Sequence, residues 1–218
     1  MVLLTIDTCL GACSVAVAMG GRVVASRYEA RRTGHAEAIV PMIAEVLDEA
    51  GIATPALHTI AVTRGPGTFA GMRIGLAAAE GLKLSTGATI IPVSSLWAIG
   101  QRVLSESSSR SAPLAIAVDA GRGQVYFELL TPDGYPAGSG PELLSIDDAK
   151  GRTERNNAVA FGSGSSLIGA SIEPTPIEPD AARFAVAALH LPAAAGHVAP
   201  LYFRTADAIV QAPPAGLR

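Results

Sequence analysis

Two cysteines, one tryptophan and an aromatic share of only 5% leave this chain little with which to staple itself or chelate. Cys9 and Cys13 stand four apart with no second pair to complete a zinc site, so both are expected to be reduced and structural. Four scattered histidines complete no ligand set. Charge is also scarce: 16% of residues carry it, and the net of −3 argues against a free-standing nucleic-acid binder, which shows a basic face. The nearest basic cluster, Arg27, Arg31 and Arg32, reads as a solvated strand end. No apolar run approaches a membrane span, and Met1 leads into a strand rather than a basic leader with an apolar segment, so the expectation is a cytoplasmic protein with no membrane contact.

What the chain does have is small apolar residues and glycine. A hydrophobic share of 49% over 218 residues is enough for a well-buried core and for two small domains. One stretch stands apart from ordinary filler: Arg64, Gly65, Pro66, Gly67, Thr68, Phe69, Ala70, Gly71, Met72, Arg73, Ile74 and Gly75. Two glycines around a proline make a turn of restricted shape, set between the strand-like Ile60-Ala61-Val62 and a small-residue helix. Gly71, Gly75, Ala78, Ala79 and Leu82 recur at three- and four-residue spacing, a flat strip that another backbone could approach closely. A glycine in a helix interior costs about 1 kcal/mol relative to alanine, and close packing is the expected compensation. The stretch is not a dinucleotide fingerprint, because its third glycine comes one position late and the next strand ends Pro92-Val93-Ser94 without an acid. Nor is it a phosphate-binding P-loop, since Gly71-Met72-Arg73 lacks the Lys-Ser/Thr ending.

Taken in order, the chain predicts strands over 2–6, 13–18 and 23–28, then a helix over 35–50 with an apolar stripe at Ile39, Met42, Ile43, Val46, Leu47 and Ala50. Pro41 is expected to kink that helix or to mark its first turn. Strand 57–62, the glycine turn, a helix to about residue 85, strand 89–93 and a helix over 94–104 follow, as in a mixed sheet with helical crossovers. The serine-rich break at 105–111 separates a domain at 1–106 from a second at 112–218. The second begins as a copy of the first: Ile116 to Tyr126 lays over Leu4 to Ser14 without a gap, each being apolar strand, aspartate, glycine turn, strand. Beyond the Pro132-Asp133-Gly134 turn the copy weakens into loops, with a helical stretch near 183–189 and a tail carrying Pro213-Pro214.

A duplicated strand–Asp–turn–strand unit is how a two-lobed phosphotransfer fold holds a nucleotide: the turns offer N–H groups to phosphates and the aspartates help hold a metal ion. Asp7 with Thr8, and Asp119 with Gly121 and Gly123, are the candidates for such a site, possessed or vestigial. The competing reading is that both aspartates simply cap their turns. No lysine sits in either turn, Gly162-Ser163-Gly164 reads as a plain loop or else the remnant of an adenosine pocket, and His35 has Ile39 where a helix-borne metal site needs its second ligand. No nucleophile elbow or Ser/His/Asp order can be assembled.

These motifs together resemble the TsaB (YeaZ) family: Ile6-Asp7-Thr8, Ala12 to Ala16, His35 with Val40-Pro41-Met42, Arg64 to Gly75, Asp119 to Tyr126, and Pro200-Leu201-Tyr202-Phe203-Arg204. The family's glycine motif reads Gly-Pro-Gly-Ser-Phe-Thr-Gly-Leu-Arg-Ile-Gly, from which Thr68, Ala70 and Met72 depart. The resemblance implies an α/β, two-lobed actin/Hsp70/sugar-kinase-like (ribonuclease H-like) fold with duplicated mixed sheets and a degenerate second lobe. It implies a non-catalytic subunit pairing with a TsaD-type catalytic subunit and a TsaE-type ATPase to threonylcarbamoylate N6 of adenosine 37 in tRNAs reading A-starting codons. On that reading the chain holds no catalytic residue, metal or tight cofactor of its own; ATP and magnesium belong to the partner subunits, tRNA is met only through the complex, and the isolated chain forms a homodimer. The strip Gly71, Gly75, Ala78, Ala79 and Leu82, with Met42 of the neighbouring helix, is the expected partner interface; the alternative is that the strip packs only inside its own lobe. The competing function is an independent ATP-dependent phosphotransferase of the same fold using Asp7 and Asp119.

Overall fold

The structure, a computed structural model, describes residues 1–106, 111–169 and 178–204. Most of the serine break and the Pro213-Pro214 tail therefore lie outside the described residues. The first lobe runs β1 (Val2–Asp7), β2 (Ala12–Met19), β3 (Arg22–Ala30), α1 (His35–Glu49), β4 (Thr59–Thr63), α2 (Phe69–Thr86), β5 (Thr89–Val93) and α3 (Ser95–Glu106). The second runs β6 (Leu114–Gly121), β7 (Gln124–Leu130), β8 (Glu142–Ser145), α4 (Ile146–Arg155) and β9 (Val159–Phe161), and α5 (Ala181–Ala188) follows. The sheets are ordered β3-β2-β1-β4-β5 and β8-β7-β6-β9. In each, an antiparallel hairpin (β1–β2, β6–β7) is joined to a parallel strand (β4, β9), the duplicated two-lobed arrangement that the resemblance implies.

The central position of β1 explains its composition. All six residues are buried, because helices cover both faces of the sheet. Leu4 and Ile6 pack with Val15, Val17, Val62 and the α1 stripe Ile39, Met42, Ile43, Val46 and Leu47. Leu3, on the opposite face, joins Ala16, Ala18 and Ala61 in a core shared with α3, α5 and the second sheet through Leu114, Ile116, Leu130 and Phe161. The alanines of β2 and β4 let α5 sit close: Thr5 Oγ1 donates to the Ala181 carbonyl at 3.1 Å, and the Ala181 N–H donates to Ser14 Oγ at 2.9 Å.

Three expectations need correction. The chain beyond residue 135 is not simply loop, since it forms β8, α4 and β9. Helix α4 was concealed by its polarity, but its signals are present: Ser145 caps it by accepting from the Asp148 N–H, Asp147 and Asp148 occupy the first turn, and Arg152 and Arg155 the last. Pro41 does not mark the first turn of α1, which continues through it from His35 to Glu49. The carbonyl that its missing N–H would have met belongs to Glu37, an exposed residue that water can serve. Finally, the described residues after β9 do not all stay with the second lobe. Helix α5 packs on β1, β2 and β3, and Ala194 donates its N–H to the Ile90 carbonyl at 2.8 Å. The alternating small residues of the first sheet provide the flat apolar surface that draws α5 back.

Candidate functional site

The glycine motif leaves β4 as a turn, with Gly65 at φ 110° and a cis Gly65–Pro66 bond, and enters α2 at Thr68. Thr68 Oγ1 accepts from the Gly71 N–H at 3.1 Å, capping the helix, while the Thr68 N–H donates to the Cys9 carbonyl at 2.7 Å. Thr8 Oγ1 in turn donates to the Gly71 carbonyl at 2.6 Å. A Cβ at Gly67 would lie 2.3 Å from the Cys9 carbonyl oxygen, one at Gly71 2.1 Å from that of Thr8, and one at Gly75 2.6 Å from Thr8 Oγ1. The glycines are thus required by the approach of α2 to the first Asp turn of the same chain.

The expected interface strip is largely committed to the chain's own core. Met42, Gly71, Gly75 and Ala79 are buried within the chain, and Ala78 and Leu82 are half-buried against its core. The outward sides of α1 and α2 carry other residues, among them the exposed Val40, Arg73, Ala77 and Leu84. Of the motif residues, Phe69 and Arg73 point outward together. The Arg73 guanidinium lies 3.7 Å over the Phe69 ring, its Nε donates to the Tyr202 hydroxyl at 2.7 Å, and the Phe69 and Tyr202 rings stack at 5.0 Å. Arg64 acts through its backbone, with its N–H on the Val93 carbonyl and its own carbonyl taken by the Leu201 N–H. Ala70 is exposed at the start of α2.

Both aspartates cap their turns. Asp7 Oδ1 accepts from Thr63 Oγ1 at 2.6 Å and from the Cys9 N–H at 3.3 Å; Asp119 Oδ1 accepts from the Gly121 N–H at 2.7 Å. Their surroundings differ sharply. Asp119 is exposed beside the hairpin of Gly121, Arg122 and Gly123, all at positive φ. Asp7 is fully buried, and its Oδ2 has no hydrogen-bond partner among the described residues. Burial pushes its carboxyl up to about 7 against the pull of the Thr63 and Cys9 donors, with the Glu178 and Asp180 charges adding to the rise. The same burial, reinforced by Asp7, pushes the Cys9 thiol far up, so it is no nucleophile.

The first turn is also occupied from within. The Gly11 N–H, one of the donors a phosphate would seek, is bound to Glu178 Oε2 at 2.7 Å. The turn's carbonyls are spoken for as well: Leu10 by His35 Nε2 at 3.1 Å, Gly11 by the Arg31 N–H at 2.9 Å. His35 therefore serves the turn, and Ile39 lies in the core. Among the described residues no group of three or more His, Cys, Asp or Glu is placed to hold a metal ion, and no helix is long and apolar enough to cross a membrane. In the second lobe, Gly162-Ser163-Gly164 proves to be the counterpart of the glycine motif. It follows β9 as the motif follows β4, Ser163 Oγ accepts from the Asp119 N–H at 3.1 Å, and a Cβ at Gly162 would lie 2.3 Å from the Ala117 carbonyl oxygen.

Two carboxylates escaped the sequence reading. Glu178 lies 167 residues from Gly11, and no local pattern marks it. Glu128 had a signal, a lone acid in the apolar strand β7. It is buried at the junction of the lobes, where Ser94 Oγ donates to its Oε2 at 2.6 Å while accepting from the N–H groups of Leu96 and Trp97 at the start of α3. Burial raises its carboxyl to about 7 despite those donors.

Comparison with known proteins agrees with this geometry. A family model described as "TsaD: tRNA N6-adenosine threonylcarbamoyltransferase" matches residues 24–130. The "tRNA threonylcarbamoyladenosine biosynthesis protein TsaB" of Haemophilus influenzae is 30% identical over 174 residues, covering 75% of this chain and 72% of that protein. The protein of the same name from Escherichia coli is 35% identical over 127 residues, which span 58% of this chain and only 54% of the relative. The solved structure "YeaZ from Pseudomonas aeruginosa" aligns over 86% of this chain and 89% of its own, at 29% identity and a TM-score of 0.70.

Proposed function

The chain belongs to the TsaB (YeaZ) family of tRNA threonylcarbamoyladenosine biosynthesis proteins, with its two-lobed actin/Hsp70/sugar-kinase-like fold, and we propose that it serves there as a non-catalytic subunit. Its task is to bind and complete a TsaD-type catalytic subunit, with a TsaE-type ATPase joining the pair, in the cytoplasm. ATP and its magnesium ion are handled by those partners, and tRNA is met through the assembly; alone, the chain pairs with a second copy of itself.

One observation carries the non-catalytic reading: the turn that would cradle phosphate is filled by the chain's own carboxylate, Glu178 on the Gly11 N–H. A nucleotide arriving there would have to displace that contact and lie beside the Glu178 and Asp180 carboxylates, so its own negative charge would be repelled. The independent phosphotransferase loses its metal-holding group on the same ground, since Asp7 is fully buried and takes its hydrogen bonds from Thr63 and Cys9. With Gly71, Gly75 and Met42 committed to the interior, the partner surface moves to the outward sides of α1 and α2, where Val40, Ala77 and Leu84 are exposed apolar residues.

The test is a tagged purification from native lysate with copurifying proteins identified by mass spectrometry, alongside calorimetry of the isolated chain with millimolar Mg–ATP. A stoichiometric larger relative in the eluate and no heat from ATP are expected. Recovery of the chain alone, with ATP heat abolished by Asp119→Ala, would instead establish the phosphotransferase.

A further inference from the structure

The segment after α5 runs back to the first lobe and then crosses to the second within four residues. Val198 is buried in the first lobe's core, and the Leu201 N–H donates to the Arg64 carbonyl at 2.8 Å, hydrogen-bonding to the glycine motif. Tyr202 is held on Phe69 and Arg73 by the ring stack and the 2.7 Å hydrogen bond to its hydroxyl. Phe203 then meets Tyr126 of β7 at 5.7 Å between ring centroids. Arg204 completes the crossing: Nη1 donates to the Ala120 carbonyl at 2.7 Å, and Nη2 to the Gly121 carbonyl at 3.3 Å and to Gln124 Oε1 at 2.5 Å.

The two ends of this crossing are the two halves of the duplication. The glycine motif clamps the first Asp turn through Thr68 and Gly71, while Ala120 to Gln124 is the second Asp turn itself. A guanidinium suits the second end, since its rigid planar fork spreads its donors over two carbonyls and a side-chain amide oxygen, where an ammonium would have to serve them from a single point. The hairpin that carries those carbonyls is a tight turn in which Gly121, Arg122 and Gly123 all adopt positive φ.

We propose that Leu201 to Arg204 form an interlobe latch: they couple the glycine motif of the first lobe to the β6–β7 hairpin of the second, so that neither turn opens without the other. Side-chain packing through α3 and α5 joins the sheets elsewhere, and each turn is held within its own lobe by its own hydrogen bonds, Thr8 and Cys9 with Gly71 and Thr68 in the first and Asp119 with Ser163 in the second. The latch replaces two independent openings by one.

Hydrogen exchange followed by mass spectrometry on the full chain tests this, comparing wild type with Arg204→Ala, Arg204→Lys and Tyr202→Ala. Arg204→Ala is expected to speed exchange on the order of tenfold not only in peptides covering Gly121–Val125 but also in those covering Thr68–Met72 of the other lobe. Tyr202→Ala, cut at the opposite end, should open the same two stretches, and Arg204→Lys should fall between Arg204→Ala and wild type. Peptides from β1 report whether a variant has lost the fold; should Arg204→Ala do so, Gln124→Ala, which leaves the two carbonyl contacts in place, becomes the deciding variant. Changes confined to the hairpin in the Arg204 or Gln124 variants, and to the glycine motif in Tyr202→Ala, would overturn the latch.

Discussion

Replacing Asp7 with asparagine should stabilise this protein at alkaline pH and leave it nearly unchanged in acid. Asp7 is fully buried, one oxygen is served by Thr63 and Cys9, and the other has no hydrogen-bond partner among the described residues. Its carboxyl is raised from an ordinary 3.8 to about 7, which makes ionisation in place cost roughly 4 kcal/mol more than in the unfolded chain. The sign follows from proton counting. Between about 4 and 7 the folded chain holds a proton that the unfolded chain has released, so stability is full below that window, falls as pH rises through it, and levels off above. Asparagine keeps an oxygen for the Thr63 and Cys9 donors and never ionises, but it turns the unpartnered oxygen into an unpartnered amide, at a cost of about 1–3 kcal/mol. The net expectation is a gain of about 1–3 kcal/mol at pH 8 and about zero at pH 5. Urea unfolding of both proteins at the two pH values measures this. A variant destabilised most at pH 8 would refute the reasoning, because it would mean that the ionised carboxylate is favourably held in the native protein, as a metal-binding phosphotransferase requires.

Glu128→Gln should behave in the same direction for the same reason. Its carboxyl, raised from 4.5 to about 7 by burial, withdraws stability as pH rises between those values, and the amide keeps an acceptor for Ser94 Oγ. Chemical denaturation of the single and double Asp7 and Glu128 variants across pH 4–8 should show the slope halving and then flattening; an unchanged slope in Glu128→Gln counts against burial as its cause. Gly71→Ala should cost about 3 kcal/mol or more, since a Cβ 2.1 Å from the Thr8 carbonyl forces backbone apart rather than a side chain aside. Gly75→Leu should fail to fold by circular dichroism, whereas Leu84→Glu, on the exposed side of α2, should keep its denaturation midpoint and lose a copurifying partner. Wild-type stability in Gly71→Ala would place the strip outside the core after all.

Some of this was legible residue by residue. The unbroken apolar run of β1, the 3.6-residue stripe of α1 and the gapless overlay of Ile116–Tyr126 on Leu4–Ser14 announced a duplicated mixed sheet, because periodicity and repetition are local properties that survive any packing. Helix α4 was hidden by the same rule: with so little apolar surface, only its Ser145 cap and the acid-first, base-last charge order mark it. The small-residue strip of α2 was correctly recognised as demanding close approach, but a sequence cannot say whose backbone does the approaching. Thr8 and Gly71 are 63 positions apart, and it is Thr8 that fills the gap.

By itself, then, the chain determined the elements of its first lobe, its repeat, its family and the absence of a second histidine at Ile39, all of which depend on residue type and spacing alone. Only the tertiary structure decided which candidate groups meet. It sealed Asp7 while leaving Asp119 in solvent, set Glu178 on the Gly11 N–H across 167 residues, and drew residues 201–204 over both lobes. Burial and long-range hydrogen bonds depend on which surfaces the two packed sheets leave free, a property of the whole arrangement that no window of sequence contains.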